Sequence, residues 1–275
     1  HMGTEVRSLR MAATTAQKAR LKPALQDANK HRMKSNRHYL YTAWKQLIAA
    51  YLLAFAISLA AGTLLVMIAH VPPERLYEMS TKRLAYALPV FDMGLRHGID
   101  MGILLFLWNS LGALITLSFV YTAAWFDPDH LGSPPQALRK IFGGRGRMKL
   151  FCHLPGCSRI EAESLRRLYV WLMIPLLGMI LLGTESGLQV ATATHIFGSF
   201  GGAVLAMLPH GLIEIPTLAL AGAVTFSAHL LVKELAGHNQ IQPVFDQIER
   251  HRNALPVLTI ALLTIGGLLF AGLIE

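Results

Sequence analysis

Long apolar blocks, with Glu214 the one Asp, Glu, Lys or Arg inside any of them, constrain this chain more than any other feature. They cover residues 47–69, 101–125, 168–184, 186–209, 211–232 and 253–274. A helix rising 1.5 Å per residue needs about 20 residues to cross a hydrocarbon core of about 30 Å. Most of the blocks meet that length, and no water-facing surface would accommodate them. Only 15% of the 275 residues are charged, against about 25% in a soluble globular domain. The mean hydropathy is +0.43. A soluble enzyme with one deep core is thereby excluded. Because lipid forces each span to satisfy its own backbone, blocks of this length predict an all-α, polytopic integral membrane helix bundle.

The breaks between blocks set the span count. His70, Pro72 and Pro73 end the first block, and residues 74–98 mix Arg, Glu and Tyr with apolar positions such as Leu84, Leu88 and Phe91. That mixture predicts a short amphipathic segment on the far side of the membrane. Asp127-Pro128-Asp129 and Gly132-Ser133-Pro134-Pro135 end the second block. The third is short, contains Pro175, and is closed by Glu185 and Gly187, which places Glu185 at a span end. The fourth, 186–209, is weaker, with Thr192, Thr194, His195 and four glycines (Gly187, Gly198, Gly201, Gly202). Almost no connector separates it from the block beginning at Gly211. The expectation is five spans plus a re-entrant or half-spanning segment, six full spans being the alternative.

Charge gives the orientation. Residues 1–46 hold ten Lys or Arg against two acids, and residues 126–167 hold eight against four. Two spans separate these basic stretches, so both are expected on the cytoplasmic side of the inner membrane. The chain then divides into a basic cytoplasmic arm (1–46) and a transmembrane domain (47–275) carrying a basic cytoplasmic loop at 126–167. His1-Met2-Gly3 resembles a cloning remnant and Met11 a native start, so residues 1–10 are set aside. The arm and loop suit anionic lipid; no nucleic-acid-binding motif accompanies them.

The sharpest local pattern is Pro209-His210-Gly211-Leu212-Ile213-Glu214-Ile215-Pro216. Pro209 suits a helix start and Gly211 an irregular beginning. His210 and Glu214 are four apart and share one helix face. Such a couple can pair, share a proton, or hold a divalent metal, and an ionisable group at membrane depth usually has a partner and a purpose. The structural alternative is a carboxylate near a helix N-terminus with His210 as a polar cap. Asn109, in the middle of its block, either packs against a neighbouring helix or contacts Glu214 or His210. His97-Gly98-Ile99-Asp100 echoes the His-Gly-x-x-Glu pattern, with His97 and Asp100 on one face, as two related halves would leave it. His229, 19 residues beyond His210, is about 28 Å further along a straight helix and belongs to another site. In the basic loop, Cys152-His153, Cys157 and His130 match no strong zinc spacing, and a reduced, metal-free loop is expected. Nothing matches His-Glu-x-x-His or Gly-x-Ser-x-Gly, which points away from an enzyme.

The run from Pro209 to Pro216, followed by Leu218-Ala219-Leu220-Ala221-Gly222, resembles the P-H-G-x-x-E-x-P…A-G signature of the stage II sporulation protein M family. Phe106-Leu107-Trp108-Asn109-Ser110-Leu111 is similar to that family's apolar helix with a central Asn. The family's Asn-Gly pair is absent; Thr184-Glu185-Ser186-Gly187 stands in its place. The resemblance covers residues 95–275. It implies a multi-span inner-membrane protein, the founding type being similar to a scaffold for peptidoglycan-degrading partners during forespore engulfment.

The first functional expectation is a scaffold or assembly subunit of an envelope complex, binding itself or other membrane proteins. Small-residue faces such as Gly198, Gly201 and Gly202 would serve this. The second is a proton- or cation-coupled small-solute transporter using His210 and Glu214. The third is a membrane-embedded metalloenzyme with those two residues as ligands. No cofactor is expected, apart from the divalent metal of that third reading.

Overall fold

The computed structural model describes residues 36–82, 86–127, 157, 160–235 and 241–274, without the side chain of His210. The described residues from Tyr39 onward form one compact unit. Among the described residues every regular element is helical. Five apolar helices among these residues are long enough to cross a membrane, as the blocks predict.

Helix α1 (Asn36–Met67) is the first of these. Two short amphipathic helices follow, α2 (Pro73–Thr81) and α3 (Leu88–Arg96). Each begins with a proline in its first turn, where the missing N–H has no helical partner to lose. Helix α4 (Met101–Ser118) starts at Asp100, whose carboxylate accepts the Gly102 N–H at 2.8 Å, and ends in a 3-10 turn (Tyr121–Phe126). Helices α5 (Glu163–Leu172) and α6 (Ile174–Phe197) run almost continuously, stepping at Met173 just before Pro175. Then come α7 (Phe200–Leu235), amphipathic α8 (Ile241–Ala254) and α9 (Val257–Ile274).

Segment 186–209 is divided between two helices. Its first part continues α6 as far as Phe197. Gly198 then turns the chain at φ 67°, a left-handed conformation that glycine adopts without a Cβ penalty. The hydroxyl of Ser199 accepts the Gly202 N–H at 3.0 Å and opens α7. The half-spanning element is therefore a helical hairpin tip whose arms lengthen two spans. Two expectations change with it. Pro209 does not begin a helix: with the turn already made at Gly198, α7 runs unbroken through Pro209, Gly211 and Pro216. Glu185 does not end a span: it sits half-buried inside α6. Internal prolines are tolerated in membrane helices because neighbouring groups satisfy the freed backbone.

Helix α7 is the central element. Its apolar window is 72% buried, against 28% for α1 and α4 and 22% for α9. Glycines set the closest helix approaches. Gly183 lies against the backbone of Tyr51, and Gly187 against Phe55 and Ser58, so α1 and α6 run parallel with their axes close. Gly102 and Gly272 face each other where α4 and α9 cross antiparallel, and Gly267 meets Thr217 of α7. Gly198, Gly201 and Gly202 stand together at the hairpin tip. The first makes the turn, Gly201 faces open space, and Gly202 sits beside Ser199. The close seams inside the bundle are thus made by other glycines.

At the end of the bundle where α1 begins, which we term the loop end, a dry core joins the 3-10 turn, α5, α7 and α8. Phe126, Leu168, Trp171, Val232, Val244 and Ile248 are all buried there. Cys157 is fully buried in the same cluster; Cys152, His130 and His153 lie outside the described residues. Along the shafts, Leu53, Ile57, Leu262 and Leu273 are exposed, as lipid-facing residues of a membrane bundle are. At the other end, the hairpin end, Phe197 and Phe200 of the tip are also exposed.

Candidate functional site

Glu214 is buried on α7. The Asn109 side-chain amide of α4 donates to its Oε1 at 2.6 Å. The two helices run parallel here, as the Thr225 hydroxyl donating to the Thr116 carbonyl at 2.7 Å shows. Asn109 stands eight residues from the start of an 18-residue helix, so this clasp lies near the mid-depth of the span. An amide facing a carboxylate at that depth supplies the donor that lipid cannot. Interhelical bonds of this kind contribute about 0.6 kcal/mol on average and at most about 2 kcal/mol.

The clasp forms part of the floor of a cleft of about 340 Å³. One wall is α4, from Trp108 to Thr116, and the other is α6, from Ile174 to Leu182, while Glu214, Leu218 and Gly222 of α7 lie between them. Eight residues at 1.5 Å make each wall about 12 Å long, parallel to the helix axes. Gly112 and Gly178, one on each wall, have no neighbour where a Cβ would stand. On the other side of α7, Tyr51 of α1 lies within electrostatic reach of Glu214, and the Ser186 hydroxyl of α6 donates to the Leu182 carbonyl at 2.9 Å.

The remaining sequence candidates separate into distinct places. His210 is in α7 one turn before Glu214, but its side chain lies outside the described residues. Pro209 is exposed, and Gly211 lines an apolar groove on the α1 side. The Pro216 carbonyl accepts the Trp44 indole N–H at 3.0 Å. His97 and Asp100 do not reach Glu214. His97 bonds to the Met93 carbonyl at 2.7 Å and Asp100 caps α4, so both are occupied at the ends of their own helices. His229 is buried against Tyr169 and Phe226, with Nδ1 2.9 Å from the Tyr169 carbonyl. Among the described residues no three His, Cys, Asp or Glu side chains converge as metal ligands.

Two groups escape a reading of the sequence. Glu185 is a second carboxylate inside a span, hidden because the glycines after it resemble a break. The other is His251 on α8, 2% exposed, with Nε2 2.8 Å from the Ser227 hydroxyl of α7 and the Tyr39 ring edge-on at 6.0 Å. Burial pushes its imidazole down from 6.5 to about 4, because desolvation penalises the charged form. His251 sits in a polar stretch between spans, where nothing in the sequence marks it as buried.

Over residues 133–275, just over half of the chain, the sequence matches the family described as Stage II sporulation protein M. The chain belongs to this family. The matched region holds α5 to α9, including Glu214 and the Pro209–Pro216 run, and it stops short of Asn109. The clasp therefore joins a residue inside the matched region to one before it. The family resemblance read from residue 95 onward is thus matched from residue 133. No curated protein and no solved structure matches the chain.

Proposed function

We propose that this member of the Stage II sporulation protein M family is an assembly subunit of an envelope complex, receiving a transmembrane helix of a partner in the cleft between α4 and α6. The observation carrying this reading is the cleft itself. Its walls follow the membrane-spanning direction for about 12 Å, and Gly112 and Gly178 keep them low, with Gly222 on the floor between them. Close approach at small residues, with polar groups as fasteners, is how helices associate where lipid removes the hydrophobic drive. Thr116 and the Asn109–Glu214 clasp supply such polar groups. In this reading the clasp is a fixed part of the floor, and the basic arm and loop lie in the cytoplasm, consistent with the positive-inside rule.

A photocrosslinking residue at Gly178 tests the proposal in living membranes. Discrete adducts with one or a few membrane proteins are expected, and they should vanish when Gly112→Leu fills the opposite wall. Adducts with lipid alone, unchanged by Gly112→Leu, would end it.

A second reading has one observation in its favour: an ionisable group, Glu214, lines a cleft at mid-depth. Proton- or cation-coupled transport of a small solute would use it as the carrier of charge. Ion flux into vesicles holding the wild-type chain, compared with Glu214→Gln and empty vesicles, decides this. Three equal fluxes exclude transport.

A further inference from the structure

A second depression lies on the other side of α7, where α1 diverges from it. This groove of about 310 Å³ is lined almost wholly by apolar groups of α1 and α7, with Val190 of α6 among them. A shallow surface along α1 continues it toward the loop end and carries Lys45, Thr42 and Gln46; the two depressions share Ile48 and Leu52. We infer that this continuous surface binds one anionic phospholipid, its headgroup phosphate at Lys45 and one acyl chain along the groove.

Three observations carry the assignment. The first is charge in the right place. Lys45 is exposed, and its ammonium stands 4.7 Å over the Tyr41 ring, which is itself stacked on Trp44 at 6.1 Å. A lysine beside Tyr and Trp is the arrangement of a membrane interface, where the stem lies along apolar surface and the cation meets phosphate. The second is length. Lys45 to Phe55 is ten residues, about 15 Å of helix, and one leaflet contributes half of a hydrocarbon core of about 30 Å. A chain entering at Lys45 therefore reaches the inner part of the groove beside Phe55 and Met207. The third is enclosure. A convex helix face touches annular lipid on one side only, whereas in the groove beyond Ile48 the helices α1 and α7 wall the acyl chain on both sides. The Trp44 indole bond to the Pro216 carbonyl fixes the wall at the mouth.

This site is separate from the cleft between α4 and α6, and either can fail without the other. The test uses the full chain in vesicles of phosphatidylcholine mixed with phosphatidylglycerol, one of the two brominated on its acyl chains at a time. The part of the tryptophan fluorescence lost in Trp44→Phe reports quenching at the groove mouth. Brominated phosphatidylglycerol should occupy the site about fivefold better than brominated phosphatidylcholine, the ratio that one lysine contributes near an anionic headgroup. Lys45→Gln should bring the ratio to one. Gly211→Leu, at a position where an added Cβ meets nothing, should fill the groove and abolish the strong quenching by either lipid. Equal quenching by the two lipids in the wild type overturns the inference. So does a preference that survives either variant, since the anionic lipid would then sit elsewhere or would leave the groove empty.

Discussion

The seam between α1 and α6 and the cleft between α6 and α4 lie on the two sides of one helix, and both are lined with glycine. In the seam, the space beside Gly183 and Gly187 is filled by the backbone of Tyr51 and Phe55 and the side chain of Ser58. In the cleft, the space beside Gly178 and Gly112 is empty. The same residue type thus does two jobs. In one place it lets two helices of the same chain close on each other. In the other it leaves a trough along the membrane-spanning direction. Sequence cannot separate the two uses, since Gly178 and Gly183 stand five residues apart in one apolar run. Only the position of the neighbouring helix decides.

That contrast breaks most sharply at Gly187. Leucine there would collide with the Phe55 backbone and the Ser58 hydroxyl, forcing α1 away from α6. A loss of about 3 kcal/mol or more is expected, enough to deplete folded protein on size-exclusion chromatography in detergent. If Gly187→Leu instead elutes and melts as the wild type does, the seam is not closed as described.

Next in size is the loop end, where burial rather than close approach holds the helices. The His251 imidazole binds a proton less readily folded than unfolded, its pKa lowered from 6.5 to about 4. Its contribution is therefore fully present above pH 6.5 and is lost as pH falls toward about 4. A shift of this size corresponds to about 3 kcal/mol at most. Thermal melting of the solubilised chain should fall across that window, and His251→Gln should flatten the fall. An equally steep decline in the variant would assign the pH response to other groups.

Smallest is the change expected in the cleft. Gly112→Ala and Gly178→Ala place a methyl group in open space on a helix. Their expected effect on melting is within about 0.5 kcal/mol, of either sign. A large destabilisation would mean that the walls are already packed against something, and the cleft would not be free to receive a helix.

How much of this was legible beforehand follows the same physics. The apolar blocks announced the helical membrane bundle, because lipid admits few other solutions, and the basic stretches separated by two spans suggested an orientation. The Pro209–Pro216 run marked Glu214 as worth attention, and a mid-block Asn109 pointed toward a neighbouring helix. Turn placement was less legible. Pro209 and Gly211 look like breakers, yet α7 runs through both, since a membrane helix tolerates an internal proline, and the Gly198-Ser199 pair makes the turn. His97 and Asp100 matched the motif by spacing but are taken up by their own helix ends. Glu185 and His251 were illegible because burial depends on which helices pack beside them, and that information is not local.

Glu214 is held to Asn109 at mid-depth, and this clasp helps to shape the cleft on which the functional reading rests. A double-mutant cycle with Asn109→Leu and Glu214→Leu, each of which removes one partner of the bond, read by reversible unfolding in bicelles, measures it directly. The expected coupling is about 1 kcal/mol, with the double variant less destabilised than the sum of the single ones. Additive effects, with coupling indistinguishable from zero, would show that α4 and α7 are not joined through this pair.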